Sequence, residues 1–294
     1  MTVPAWRETI WMDFCNTIVN TKTYNMKNKQ IIAISTLAVT GLLSFSCNKN
    51  DDPNPDIIWS IPLSTKFENP TPANRTETGL LTMQLFSNNV LKYSFRVENL
   101  ASGDQLTMAH FHTGNPVVNG PVILPFPAFT GTSASGEITI RASLADSLKD
   151  SKNDIYFNVH STQFPGGLVR GTVNSDILVA ADVALNGTNE VPPTPTLATG
   201  RALIRLTVDR KLYSLVTVTN APAGDALTAA HIHRGATGAN GAVLVGLCAS
   251  AADFGTPKTT QLDEPTASAV KTEALYVNVH STAFPNGLIR GQIR

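Results

Sequence analysis

Ala230-His231-Ile232-His233-Arg234-Gly235 alternates apolar and polar side chains before reaching a glycine. The pattern already stands 121 residues earlier, as Ala109-His110-Phe111-His112-Thr113-Gly114. Period-two alternation marks a half-buried strand, whose successive side chains point to opposite faces. Asn119-Gly120 recurs at the same offset as Asn240-Gly241, and Gly79 as Gly200. Residues 156–171 recur as 276–291, with twelve of sixteen positions identical. Self-similarity on this scale defines two copies of one unit, residues 57–174 and 177–294, joined with almost no linker.

Further strands follow the same period. Leu91-Lys92-Tyr93-Ser94-Phe95-Arg96-Val97 alternates, and its counterpart over 212–218 keeps apolar residues at alternate positions except for Ser214. Leu203-Ile204-Arg205-Leu206-Thr207-Val208 reads as another strand. The two Asn-Gly pairs suit tight turns, because both residue types tolerate positive φ. Pro192-Pro193 cannot sit inside a central strand and marks an edge or entry segment. Residues 142–149 carry a faint helical pattern that the surrounding strands outweigh. Many short strands per copy predict an all-β chain of two tandem antiparallel β-sandwich domains, of the immunoglobulin-like or superoxide-dismutase-like Greek-key type.

Composition agrees. The chain has 294 residues, 42% hydrophobic and 15% charged, with 20 Gly and 18 Pro: enough apolar residue for two cores and enough punctuation for many turns. Lys+Arg and Asp+Glu balance at 22 each, which excludes a polybasic nucleic-acid binder. No Gly-rich loop feeding a helix is present to cradle phosphates.

Residues 1–47 read as a leader. Met26-Lys27-Asn28-Lys29 precedes an apolar run over 31–46 that is too short and too polar for a good membrane span. Met26 is the expected true start. Leu43-Ser44-Phe45-Ser46-Cys47 resembles a bacterial lipobox, with its leucine one place further from the cysteine than usual. The resemblance implies lipidation of Cys47 and a membrane-anchored protein at the bacterial envelope, at the outer membrane and surface-exposed. Residues 48–56, rich in Asn, Asp and Pro, read as a flexible tether. After the leader only Cys248 remains, so the domains must stand on their own cores without a disulfide.

All six histidines lie in the repeated motifs: His110, His112 and His160, then His231, His233 and His280. On a strand, residues i and i+2 share a face, so each His-x-His pair points one way. In Tyr276-Val277-Asn278-Val279-His280 the valines take one face and Tyr276, Asn278 and His280 the other. If that polar face meets the His-x-His strand, three imidazoles cluster. Three imidazoles suit Zn or Cu with an open position. The other reading is a buried hydrogen-bond network, in which Asn158/Asn278, Ser161/Ser281 and Arg170/Arg290 satisfy the rings. The sequence alone favours the network, because no fourth ligand is visible. Glu68 and Glu190 are candidates to pair with Arg170 and Arg290.

The series Ala-His-Ile-His-x-Gly, Asn-Gly, Tyr-Val-Asn-Val-His-Ser and Phe-Pro-x-Gly-x-Ile-Arg-Gly resembles the CHRD domain, named for the secreted protein chordin and also present in exported bacterial proteins. Asn186-Gly187-Thr188-Asn189-Glu190-Val191-Pro192-Pro193 is similar to the family's opening motif. The first copy departs from it, with Phe67-Glu68-Asn69-Pro70 in that place. The resemblance implies a fold and an extracellular setting but no reaction. The His-x-His strand is also similar to copper–zinc superoxide dismutases, which use more histidines and a zinc-ligand Asp not visible here.

Other chemistry is weakly supported. Ser161 and Ser281 follow His160 and His280 directly, so they face away from them and form no Ser–His pair. Cys248 has no counterpart in the first copy, where Leu124-Pro125-Phe126 occupies the matching stretch. The expectation is therefore a non-enzymatic binding or structural protein, with metal binding, and activity through the metal, as the alternative. An extracellular protein or glycan is the expected partner, through loops such as residues 115–132. Phe126 and Phe129 in that loop are expected to cover the core.

Overall fold

A computed structural model describes residues 54–294. The leader, Met26, Cys47 and most of the tether lie outside the described residues. The first copy comprises β1 (Ile57–Ser64), β2 (Thr78–Leu85), β3 (Val90–Glu98), β4 (Leu106–Thr113), β5 (Val122–Pro125), β6 (Ser133–Thr139), α1 (Ala142–Lys149), β7 (Ile155–Ser161) and β8 (Val169–Thr172). The second repeats it as β9 (Ile177–Asn186), β10 (Thr199–Thr207), β11 (Lys211–Thr219), β12 (Leu227–Arg234), β13 (Val243–Cys248), β14 (Lys258–Gln261), α2 (Glu264–Thr272), β15 (Leu275–Ser281) and β16 (Ile289–Gln292). The chain is nearly all-β, as its period-two pattern predicts.

Each copy is one antiparallel sheet, in the order β5-β4-β7-β8-β1-β2-β3-β6 for the first and β13-β12-β15-β16-β9-β10-β11-β14 for the second. The sheet folds over at its middle. There β8 and β1 share one residue pair, Ser64 with Arg170, as β16 and β9 share Arg290 with Asn186. The two halves thus face each other as a sandwich. Phe95 on β3 and Phe157 on β7, four strands apart in the sheet, bring their ring centroids to 5.3 Å. The alternation read in residues 91–97 is the cause: Leu91, Tyr93, Phe95 and Val97 are buried. Phe126 packs edge-on against Tyr93 and Phe129 against Phe95, so both cover the core as expected.

Two details correct the sequence reading. The faint helical pattern is a helix: α1 buries Leu144, Ala145 and Leu148 along one face. Its counterpart α2 starts on Asp263, whose carboxylate accepts from the Thr266 amide at 2.9 Å, with a proline in the first turn. The Asn-Gly pairs are not positive-φ turns, because neither member has a positive φ. Gly120 and Gly241 are required by space instead. A Cβ on either would sit against the carbonyl oxygen of Thr113 or Arg234, deep inside van der Waals contact.

The copies are packed together. Val117 of the first lies in a buried cluster with Leu203 and Tyr213 of the second. Arg205 on β10 is fully buried; its guanidinium donates to the Glu68 carbonyl at 2.9 Å and to the Ala181 carbonyl at 3.0 Å. The Thr71 amide donates across the junction to the Asp182 carboxylate at 3.1 Å. The outward face of β10 and β11 is apolar at Leu203, Tyr213 and Leu215, because a neighbouring domain covers it.

Candidate metal centre

β4 and β7 are neighbours in the sheet, with His110 opposite Asn158 and Met108 opposite His160. That register brings the outward face of His-x-His beside the outward face of Tyr-x-Asn-x-His. β12 and β15 repeat it, with His231 opposite Asn278 and Ala229 opposite His280. The three imidazoles of each copy therefore meet, each offering a ring nitrogen within 4.8 Å of the other two. In the first copy His110 Nδ1 and His160 Nε2 stand 3.2 Å apart.

The tautomers follow from what the far nitrogens touch. His112 Nδ1 lies 2.9 Å from the carbonyl oxygen of Gly120, and His160 Nδ1 lies 2.9 Å from that of Pro165. A carbonyl only accepts, so each Nδ1 carries the proton and each Nε2 presents a bare lone pair. His233 and His280 repeat this with Gly241 and Pro285, both at 3.0 Å. His112 Nε2, His231 Nδ1, His233 Nε2 and His280 Nε2 are buried and find no hydrogen-bond partner among the described residues. Burial pushes the imidazoles of His110, His112, His160, His231 and His280 below their ordinary pKa, which keeps the rings neutral at neutral pH.

The residues expected to satisfy the histidines do other work. The Asn158 side-chain amide donates to the Glu68 carboxylate at 2.8 Å, and Asn278 donates to Glu190 at 3.0 Å. Ser161 Oγ donates to Asp104 at 2.8 Å. Arg170 clamps the loop after β4, donating to Asn119 Oδ1 at 3.0 Å and to the carbonyls of Asn115 and Val118 at 2.7 and 3.0 Å. Arg290 repeats this with Asn240, Ala236 and Ala239. Neither arginine's donors go to the glutamates, which they influence through space. Burial pushes the Glu68 carboxyl up to about 8 and the Glu190 carboxyl up to about 7, with the nearby arginine opposing each.

The clamped loop carries the Gly120 carbonyl, so Arg170 acts on His112 at one remove. It also acts through a stack: the guanidinium lies 3.3 Å over the Tyr156 ring, which lies parallel to the His112 ring at 4.9 Å. Arg290, Tyr276 and His233 repeat the stack at 3.4 and 5.0 Å. Carbonyl-anchored imidazoles with free nitrogens turned to one point are the usual outer-shell arrangement of metal-ligating histidines. Sequence reasoning missed the carbonyl anchors, whose signal was the repetition of Asn-Gly and Phe-Pro-x-Gly. Cys248 stays in the core, where burial pushes its thiol up to about 11 and leaves it unreactive.

Fold and centre together define a tandem β-sandwich protein with one three-histidine cluster in each domain. The CHRD domain profile matches residues 59–173 and 181–293, and the chain belongs to the CHRD family. No curated protein and no solved structure matches it. CHRD domains are non-enzymatic binding domains, and two in tandem point to a binding or structural role.

Proposed function

We propose that the chain is an exported, lipid-anchored protein of the cell envelope in which each CHRD domain binds one transition-metal ion through three imidazoles. His110, His112 and His160 hold one ion, and His231, His233 and His280 the other. One observation carries the reading. In each cluster two rings are fixed by backbone carbonyls as lone-pair bearers facing each other. The third ring has one proton to offer, so a hydrogen-bond network leaves at least one buried acceptor unsatisfied, at a cost of about 1–3 kcal/mol. An ion satisfies all three. Bonds of ~2.0–2.1 Å to imidazole nitrogen need donors about 3.3–3.5 Å apart, so rings whose nitrogens lie within 4.8 Å of one another close on an ion by small side-chain shifts.

Anchoring rests on the sequence alone. It is supported by the short basic region, the apolar run and the lipobox-like ending at Cys47. Among the described residues no helix is long and apolar enough to cross a membrane. Elemental analysis of the tag-free protein tests the metal reading: two ions per chain are expected, and one each in His112→Ala and His233→Ala. Equal metal content in wild type and both substituted proteins would refute it.

A further inference from the structure

We infer that these clusters are built for monovalent copper, Cu(I), rather than for Zn(II) or Cu(II); this rests on the proposed metal reading and narrows it. The donor set is three neutral imidazoles. Among the described residues no cysteine, aspartate or glutamate joins either cluster, so no ligand charge offsets the ion. A divalent ion there keeps its full charge in a half-buried setting, and the cost of burying an ion grows steeply with its charge.

The surroundings sharpen the preference. Behind each cluster stands a buried guanidinium, Arg170 or Arg290, separated from the nearest ligand ring by one tyrosine ring. Its repulsion on a bound ion is twice as large for a divalent as for a monovalent one. The nearest carboxylates do not reach the ion, because Glu68 and Glu190 are turned to Asn158 and Asn278.

Coordination number agrees. Three nitrogens about 2.0 Å from a central ion stand about 3.5 Å apart in a trigonal plane. The His110 Nδ1 to His160 Nε2 separation of 3.2 Å lies near that and near the about 3.3 Å of a tetrahedral set, so the spacing admits a three-coordinate ion and the choice rests on the charge and number of the ligands. Cu(I), a closed-shell ion, is content with three ligands. Zn(II) asks for a fourth ligand, which here only water could supply, and Cu(II) for a tetragonal set. His110 in the first cluster, and His231 and His280 in the second, are partly exposed, which gives the ion a way in.

The test is an anaerobic titration of the full, metal-free chain with Cu(I) supplied as its coloured bicinchoninate complex, with and without a large excess of Zn(II). The doubly substituted protein His112→Ala/His233→Ala is run beside it. Both proteins keep every thiol, so the difference between them counts imidazole-bound copper. The expected result is that wild type withdraws two more equivalents of Cu(I) than the doubly substituted protein, unchanged by Zn(II). Loss of that difference in the presence of excess Zn(II) would overturn the copper(I) inference while leaving the metal reading intact. Equal Cu(I) uptake by wild type and by His112→Ala/His233→Ala, with no more Zn(II) retained by wild type than by the substituted protein on elemental analysis, would overturn both.

Discussion

The Nδ1 of His112 lies 2.9 Å from the carbonyl oxygen of Gly120, and His233 repeats the bond to Gly241 at 3.0 Å. The bond fixes which nitrogen of each ring is free. The loop carrying it is held by an arginine on the next strand but one, so the ligand's orientation depends on residues that never touch the ion. Substitution at Gly241 tests this without altering a ligand. In Gly241→Ala the new Cβ is driven against the Arg234 carbonyl, and the loop must shift. The expected outcome is loss of one of the two bound ions, read by elemental analysis, in a protein whose circular dichroism spectrum remains β-type. Full metal content in Gly241→Ala would show that the carbonyl anchor does not matter.

Arg205 joins the copies. It is fully buried and serves carbonyls of both domains. Arg205→Ala leaves those carbonyls unpaired, each at about 1–3 kcal/mol, and opens a gap between domains. Urea unfolding of Arg205→Ala should show a lower midpoint than that of wild type. A separately produced 177–294 is expected to fold but to self-associate through Leu203, Tyr213 and Leu215. A strictly monomeric second copy would argue against the covered face.

Glu68 ties stability to pH. Its folded value of about 8 stands above the ordinary 4.5, chiefly through burial. An acid whose folded pKa is raised favours folding fully below its unfolded value, and the contribution is lost as pH climbs through the folded one. Stability should therefore decline between about pH 4.5 and 8 on account of this group. Glu68→Gln mimics the protonated acid and should flatten that decline when melting temperature is followed across the window. An unchanged slope would place the pH dependence elsewhere.

Lipidation is tested directly. Cells expressing the full chain should incorporate labelled fatty acid into it, and Cys47→Ser should abolish the label. Label surviving in Cys47→Ser would remove the anchor.

Much of this was legible in the sequence, and the limits are physical. Alternation in residues 91–97 gave the buried face of β3, and alternation in 276–280 put His280 on the same face as Tyr276 and Asn278. What could not be read was which groups answer the histidines. Backbone carbonyls carry no residue signature, so Gly120 and Pro165 did not stand out as partners, whereas Asn158, Ser161 and Arg170 did and proved to be engaged elsewhere. The Asn-Gly pairs invited a turn reading because glycine is usually needed for its φ; here the need is closeness of backbone to backbone. The extra apolar residues Tyr213 and Leu215 on the polar side of β11 were visible, yet they become meaningful only once the first domain is seen to cover them.

Metal binding by the imidazoles is tested most directly by thermal melting of wild type and His233→Ala, each with and without added Zn(II), Cu(II) or, under anaerobic conditions, Cu(I). A ligand at a hundredfold excess over its dissociation constant stabilises by about 2.7 kcal/mol. The expected result is a rise in wild-type melting temperature with at least one ion, reversed by a matching chelator and diminished in His233→Ala. If His233→Ala melts lower than wild type while neither protein responds to any ion or chelator, metal binding is contradicted and the histidines stand as a hydrogen-bond network.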